Sequence, residues 1–491
     1  MASPKLSESG LPSMAEVIER IGFGWGQLKV ALVGGCVWLA DGSELLLIGS
    51  VTRAVAQEWN LQAWQRGSVV SVVFVGILLG NSLCGPFGDQ HGRRLPIVVS
   101  YFGIAFFSIL SACTQSYLQL AAVRLFVGAA FGIGQPAISA LCTEVTPAKY
   151  RILMTALMQG MFAVGELYSA SLVWFDDPMM KHLDWRWLLL MGALPSVVFF
   201  GLSYFFLEQS PSYLSINGDY DGAKAVLESL RDSNGQGDVS VEFHKLPPKA
   251  QSTPVQAIAE NFWIIFSRKL WYSTITLVYS TFVLNFFYYG SLYAFPQVVT
   301  EVSINSTPAI SLILGCLWEY PGMVLATILG SYYARKPVLI GYLIASIFAL
   351  VSFALSADAS VEGRALWWHH ILLQAGYIGI KSFSLVGFIC AYQYATEIYP
   401  TVARTTGTSA CVAGGRLGGM VAPLVFEWLT ELTSDVGAFF HLVAVLCMIN
   451  VVLVVFLPIE TAGMSLEDHH EDVDESTPLI PHESKEKEIM A

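Results

Sequence analysis

The sequence predicts an all-α polytopic membrane protein, with twelve transmembrane helices in two six-helix halves. Three observations carry that expectation. Of the 491 residues, 54% are apolar and only 13% charged, against roughly 25% charged in soluble domains. Apolar stretches repeatedly reach the roughly 20 residues that a helix needs to cross a bilayer. A polar segment near the middle of the chain divides these stretches into two equal sets.

Residues 1–26 are polar and lack the basic, apolar and small-residue succession of a cleavable signal, so they are expected to be a cytoplasmic N-terminal segment. The first half, 27–207, holds apolar spans near 27–51, 66–86, 95–114, 118–142, 152–175 and 186–207. Residues 208–270 form a cytoplasmic linker with short surface helices. There Ala223, Val226, Leu227 and Leu230 share one helical face, ended by Asn234 and Gly235. The second half, 271–458, holds spans near 271–298, 308–331, 336–357, 366–392, 402–430 and 435–458. The tail, 459–491, is acidic and expected to be disordered. It holds much of the acid behind the net charge of −12, and no basic patch points to nucleic acid.

Basic residues set the orientation. Arg93, Arg94, Lys149, Arg151, Arg268, Lys269, Arg335, Lys336 and Arg404 fall on one side, which the positive-inside bias makes cytoplasmic, together with both termini. The eight cysteines all lie in apolar segments and read as small core hydrophobes, not as a disulfide or metal framework. Phosphate loops, nucleophile elbows and zinc spacings are missing from the sequence. The chain is therefore not expected to be an enzyme, to be driven by ATP, or to need a cofactor or metal.

The halves resemble one another. Glu144, Pro147 and Arg151 recur at the same spacing as Glu397, Pro400 and Arg404, each set at the join of the fourth and fifth helix of its half. Two six-helix halves related by an internal repeat are the architecture of alternating-access transporters.

After the second span the sequence reads Gly85, Pro86, Phe87, Gly88, Asp89, Gln90, His91, Gly92, Arg93, Arg94. This resembles the G-x-x-x-D-[RK]-x-G-R-R loop of the major facilitator superfamily, with Gln90 where a base is usual. Arg124, Gly128 and Gly132 resemble its R-x-x-x-G-x-x-x-G helix, in which small residues let helices approach closely. Within the superfamily the chain is most similar to the branch of synaptic vesicle two-related proteins and organic-ion transporters. Trp38 to Glu44 (WLADGSE), Ser71 to Gly76 (SVVFVG), Ser210, Pro211 and Thr396 to Arg404 (TEIYPTVAR) carry that similarity. Sugar porters share many of these motifs. Ser212 stands where Arg is usual, and the second copy of the Asp89 loop is reduced to Gly330, Ala334, Arg335 and Lys336.

The resemblance implies a major facilitator fold with a cytoplasmic gate of Asp89, Arg93, Glu144, Arg151, Glu397 and Arg404. These groups are expected to pair across the halves when that side is closed, more strongly in the first half. Single exposed pairs contribute about 0–1 kcal/mol, so only the network can bias the equilibrium. The alternative is that they merely solvate helix ends.

Ionisable residues inside a membrane are costly and point to function. Counted along the spans, Glu166, Glu319, Lys381 and Arg416 fall near helix midpoints, Asp41 and Glu44 slightly outward, and Arg124 further out. All seven are expected around one central polar cavity. In proton-coupled sugar porters an Asp of the first helix faces the Arg that opens the fourth-helix motif, and Asp41 and Arg124 hold the matching positions. The resemblance thus implies proton coupling by this pair, the alternative being a permanent ion pair. Glu44, on the same helical face as Asp41, shares the proton or meets substrate. Arg416, between Gly415 and Leu417, resembles the eleventh-helix Arg of organic-anion carriers, and its planar fork suits a carboxylate. With Glu166, Glu319 and Lys381 it forms the expected substrate site, unless the two acids neutralise the bases and the substrate is neutral or zwitterionic.

The leading expectation is a secondary active transporter that moves a small organic anion by proton-coupled alternating access. The alternatives are a proton-coupled sugar or polyol porter, whose polar amides would come from Gln159 and Asn285, and a transporter-fold nutrient sensor or trafficking protein without transport. The expected partners are the solute, the proton and the bilayer, with the chain acting as a monomer. In the tail, Glu475, three further residues, then Leu479 and Ile480 resemble the acidic dileucine signal read by clathrin adaptors. That signal would place the protein in an endosomal or vacuolar membrane; the plasma membrane is the alternative.

Overall fold

A Ser13–Glu16 capping box opens the first helix, α1 (Met14–Ile21). Glu16 N donates to Ser13 Oγ at 3.3 Å, and Ser13 N donates to Glu16 Oε2 at 3.0 Å. From there the computed structural model describes residues 11–244, 263–300, 307–361, 364, 366–399, 403–433, 435, 437–458 and 460.

The first half contains α2 (Trp25–Trp59), α3 (Ala63–His91), α4 (Arg94–Ala112), α5 (Tyr117–Val145), α6 (Arg151–Asp176), α7 (Trp185–Gly192) and α8 (Leu194–Phe206). The short helices α9 (Pro211–Ile216) and α10 (Tyr220–Ser233) follow. The second half contains α11 (Trp271–Val298), α12 (Pro308–Leu317), α13 (Glu319–Tyr332), α14 (Arg335–Val361), α15 (Trp367–Glu397), α16 (Arg404–Thr433) and α17 (Ala438–Val455). Each sequence window overlaps one crossing, with α7 and α8 forming one crossing and α12 and α13 another. Among the described residues, twelve crossings are long and apolar enough to span a membrane.

Both interrupted crossings have local causes. Pro195 lacks the N–H that would continue α7 and starts α8 instead. Pro321 likewise has no N–H for the Leu317 carbonyl, so a fresh helix begins at Glu319, and the Ser382 hydroxyl donates to the Trp318 carbonyl at 2.8 Å. That break puts a carboxylate at a helix start in mid-crossing, the device by which broken helices present ion-binding groups in transporters.

Packing repeats between the halves. Helix α2 lies along α6 as α11 lies along α16; α3 and α4 pack on α5 as α13 and α14 pack on α15. The small residues of the Arg124 helix act as expected. A Cβ at Gly128 or Gly132 would overlap the Val73 or Ile77 carbonyl of α3, so α3 and α5 touch backbone to backbone. The tight α3–α4 turn rests on Gly92, φ +80°, and on Gln209, whose Oε1 accepts from Arg93 N at 2.8 Å and Arg94 N at 3.1 Å.

An even number of crossings places α1 and the end of α17 at the same face of the bundle, called here the terminal face. Helix α10 covers part of it, burying Ala223, Leu227 and Leu230 with Val226 half-buried, as its pattern indicates. Asn234 fastens α10 to the first half: its Oδ1 accepts from Gly26 N at 2.9 Å and its Nδ2 donates to Gln27 Oε1 at 2.9 Å.

Candidate functional site

The seven charges within the crossings form three clusters instead of lining one common cavity. Each charge has taken the nearest group able to satisfy it, because an unpaired charge in a dry interior costs several kcal/mol.

The outermost cluster is Glu44 with Arg124, Nη1 to Oε2 at 2.5 Å, both essentially inaccessible to solvent. The expected Asp41–Arg124 contact is therefore replaced by Glu44–Arg124. Glu44 and Asp41 share a helical face one turn apart, and Arg124 meets the outer of the two.

Asp41 joins a second cluster. The Gln135 amide donates from Nε2 to Asp41 Oδ2 at 2.7 Å, and its Oε1 accepts from Arg416 Nη2 at 2.8 Å. Arg416 Nη1 also donates to the Tyr289 hydroxyl at 3.3 Å. One amide, contributed by α5, thus connects a carboxyl of α2 to a guanidinium of α16 across the two halves. Asp41 Oδ1 and Arg416 Nε are buried with no hydrogen-bond partner among the described residues.

In the third cluster Lys381 Nζ of α15 lies 2.7 Å from Glu166 Oε2 of α6 and 2.7 Å from Glu319 Oε1 of α13. The Tyr288 hydroxyl donates to Glu166 Oε1 at 2.8 Å and lies 3.2 Å from Glu319 Oε1. Glu166 belongs to the first half and the other three to the second, so this cluster also bridges them.

Glu319 and Arg416 reach the central cavity, whose volume is about 310 Å³. Gln135, Gln159 and Asn285 supply amides to its wall, and Phe162, Tyr288, Tyr289, Phe388 and Tyr392 supply aromatic faces. Asp41, Glu44, Arg124, Glu166 and Lys381 lie behind that wall. Measured along their helices, the lining residues run from the bundle centre toward the terminal face: Ser139 near the end of α5, Thr155 near the start of α6, Tyr392 near the end of α15.

The opposite, far face is sealed. Gly67 of α3 meets the backbone of Pro423 and Leu424 in α16. Arg66, one residue earlier, reaches Glu427 of α16, with Nη2 to Oε2 at 2.6 Å and Nε to Oε2 at 2.8 Å. Tyr293 of α11 donates to Glu427 Oε1 at 2.5 Å. Arg66 opens the window 66–86 and Glu427 lies near the end of the window 402–430, so a reading of charges by depth near helix midpoints passes over both. Gln135 is neutral and carries no such signal.

At the terminal face two ion pairs between described side chains each lie within one half. Arg93 Nε is 3.3 Å from Glu144 Oε1. Arg335 donates to both oxygens of Glu397, at 3.1 and 3.2 Å, and to the Gly330 carbonyl. The shortened motif keeps the arginine that matters, while Glu460 accepts from the first backbone amides of α14, Arg335 N at 2.9 Å and Lys336 N at 3.1 Å. Arg151 is exposed. The side chains of Asp89 and Arg404 lie outside the described structure, as do Glu475, Leu479 and Ile480.

Two repeated six-helix halves around a central cavity that is sealed at one face define a transporter of the major facilitator superfamily. More narrowly, the chain belongs to the sugar (and other) transporter family, whose model matches residues 37–473. It is 28% identical to the synaptic vesicle 2-related protein of Xenopus laevis, over 92% of this chain and 82% of that one. It is 27% identical to organic cation/carnitine transporter 7 of Arabidopsis thaliana, over 92% of this chain and 95% of that one. The xylose transporter XylE of E. coli, in a partially occluded inward-open conformation, shares the fold. Its TM-score is 0.70 at 16% identity, covering 89% of this chain and 99% of that one. The protein is accordingly a multi-pass membrane transporter of the branch joining synaptic vesicle 2-related proteins and sugar porters, and no catalytic activity is indicated.

Proposed function

We propose that this protein is a proton-coupled secondary transporter for a small organic solute carrying a carboxylate, which docks at Arg416. The observation that carries the reading is the setting of Arg416. It reaches the cavity near the bundle centre, its hydrogen bonds go to a neutral amide and a neutral hydroxyl, and its Nε is free. A guanidinium so placed keeps its charge available to an anionic group.

Proton coupling is assigned to Asp41. In this state, open at the terminal face, it faces an amide rather than a guanidinium, and the same amide holds Arg416. A proton on Asp41 removes the acceptor charge that orients Gln135, and the change passes to Arg416 through one side chain. Glu44 with Arg124 is then the permanent ion pair that fixes α2 against α5. With the terminal face toward the cytoplasm, the Arg93–Glu144 and Arg335–Glu397 pairs belong to the cytoplasmic gate.

The test is radiolabelled uptake into proteoliposomes under an imposed pH gradient, across organic acids, sugars and organic cations. Accumulation of a carboxylate that falls in Arg416→Lys and falls further in Arg416→Ala supports the reading. Uptake of sugars, indifferent to Arg416, would replace it with the polyol reading, which Gln135, Gln159 and Asn285 favour by lining the cavity with amides. Absence of uptake of every class would favour a sensor or trafficking role.

A further inference from the structure

Glu166 and Glu319 share one ammonium, that of Lys381, so with both carboxyls ionised this buried cluster carries one net negative charge. The other titratable groups facing it are the phenols of Tyr288 on α11, Tyr320 on α13 and Tyr377 on α15, and the Cys316 thiol on α12. Phenols and thiols supply no positive charge. Asp41 and Glu44 of α2, the helix along α6, are engaged in the other two clusters. An uncompensated charge in a dry interior is costly, and a carboxylate escapes that cost by taking a proton.

The hydrogen bonds show where the proton fits. Tyr288 has one phenolic proton and gives it to Glu166 Oε1 at 2.8 Å, which leaves its oxygen as an acceptor 3.4 Å from Glu319 Oε2. A proton on that oxygen completes a chain from Glu319 through Tyr288 to Glu166. Of the three charges, Glu319 is the one that meets the cavity. All three stand nearer the far end of their crossings, so the cluster lies between the cavity and the sealed face, with Glu166 in one half and its partners in the other.

We infer that Glu319 binds a second transported proton, which holds the two halves together at the inner end of the cavity and leaves through it. This rests on the proton-coupled reading above but not on Asp41. With the far face open, the Glu319 carboxylate forms an O–H bond with a proton from water there, the cluster becomes neutral, and Glu166 can close onto Lys381 and Glu319. With the terminal face open, that O–H bond breaks and the proton passes to cavity water. The restored charge sets Glu166 against Glu319 and favours return to the far-open state. The proton therefore belongs to the far-closed state, and raising the pH should raise the far-open population.

The test needs no solute, since its probe is the proton. Thr430 lines a recess at the far face, and the labelling rate of Thr430→Cys, with the exposed Cys113 replaced by Ser, reports opening there. Each rate is divided by that of the same full-length protein unfolded at the same pH, which cancels ionisation of the thiol. In the Asp41→Asn background the ratio should still rise with pH, by up to about tenfold per pH unit for one linked proton. Adding Glu319→Gln should flatten the dependence, and so should adding Glu166→Gln, because either leaves a neutral pair with Lys381. A ratio that does not change with pH in Asp41→Asn, or a slope that survives both glutamine substitutions, would overturn the inference. Equal slopes in the parent and in Asp41→Asn, lost in Glu319→Gln, would support it while removing Asp41 from the coupling.

Discussion

Replacing Arg66 should open the far face. Glu427 is 1% exposed and meets Arg66 through two nitrogens, so deleting the base strands a buried carboxylate. Breaking a fully buried pair costs about 3–5 kcal/mol. Arg66 is itself one-third exposed, 33%, and Tyr293 continues to donate to Glu427. Discounting for solvent screening and the surviving hydrogen bond leaves about 1.5–3 kcal/mol. Arg66 belongs to the first half and Glu427 to the second, so the loss falls only on states in which the far face is closed. At about 1.4 kcal/mol per decade, the population should shift roughly 10- to 100-fold toward states open at that face. The assay is the labelling rate of a single cysteine at Thr430, which lines the small far-face recess beside Glu427, with the exposed Cys113 replaced by Ser. Arg66→Ala should accelerate labelling, and the exchange Arg66→Glu with Glu427→Arg should slow it again. Unchanged labelling in Arg66→Ala would refute the reasoning, because the pair would then be carrying no part of the conformational balance.

Asp41→Asn should abolish pH-driven accumulation while leaving counterflow exchange partly intact, since a permanently neutral side chain mimics the protonated state; equal accumulation by mutant and parent would remove Asp41 from the coupling. Arg151→Ala and Arg404→Ala should each favour the state open at the terminal face, read as faster labelling of a cysteine at Thr155 on the cavity wall. If neither changes the rate, these arginines hold no gate. Leu479→Ala with Ile480→Ala should move a fluorescently tagged protein from internal membranes to the cell surface, and an unaltered distribution would leave the tail without a sorting role.

The architecture was legible because bilayer thickness imposes its length on every crossing, and hydropathy alone reports that length. The break at Trp318 escaped such a reading because hydropathy does not register Pro321: with no N–H to offer the Leu317 carbonyl, it cannot continue the preceding helix, and the Ser382 hydroxyl, more than sixty positions away in the chain, takes up the Trp318 carbonyl. The candidate site was legible as a set of charges but not as a set of partners. Asp41 and Glu44 share one helical face, and which of them meets Arg124 depends on how far α5 is shifted along α2, which no helical count supplies. The sequence left open whether Lys381 joins Arg416 toward an anion or is neutralised by Glu166 and Glu319; here both carboxylates, on other helices, hold it. Gln135, the residue that ties the clusters of the two halves together, bears no charge and stands in an apolar helix like any tolerated amide.

The Gln135 bridge also fixes a relation between two equilibria. An amide offers a donor at one end and an acceptor at the other, and here each end is already committed, to Asp41 and to Arg416. Whatever a proton on Asp41 does to the affinity for a ligand at Arg416, that ligand must do to the affinity of Asp41 for the proton, by the same factor and with the same sign. A titration of Asp41 with and without bound solute therefore measures the coupling free energy of the transporter at equilibrium, with no gradient and no flux.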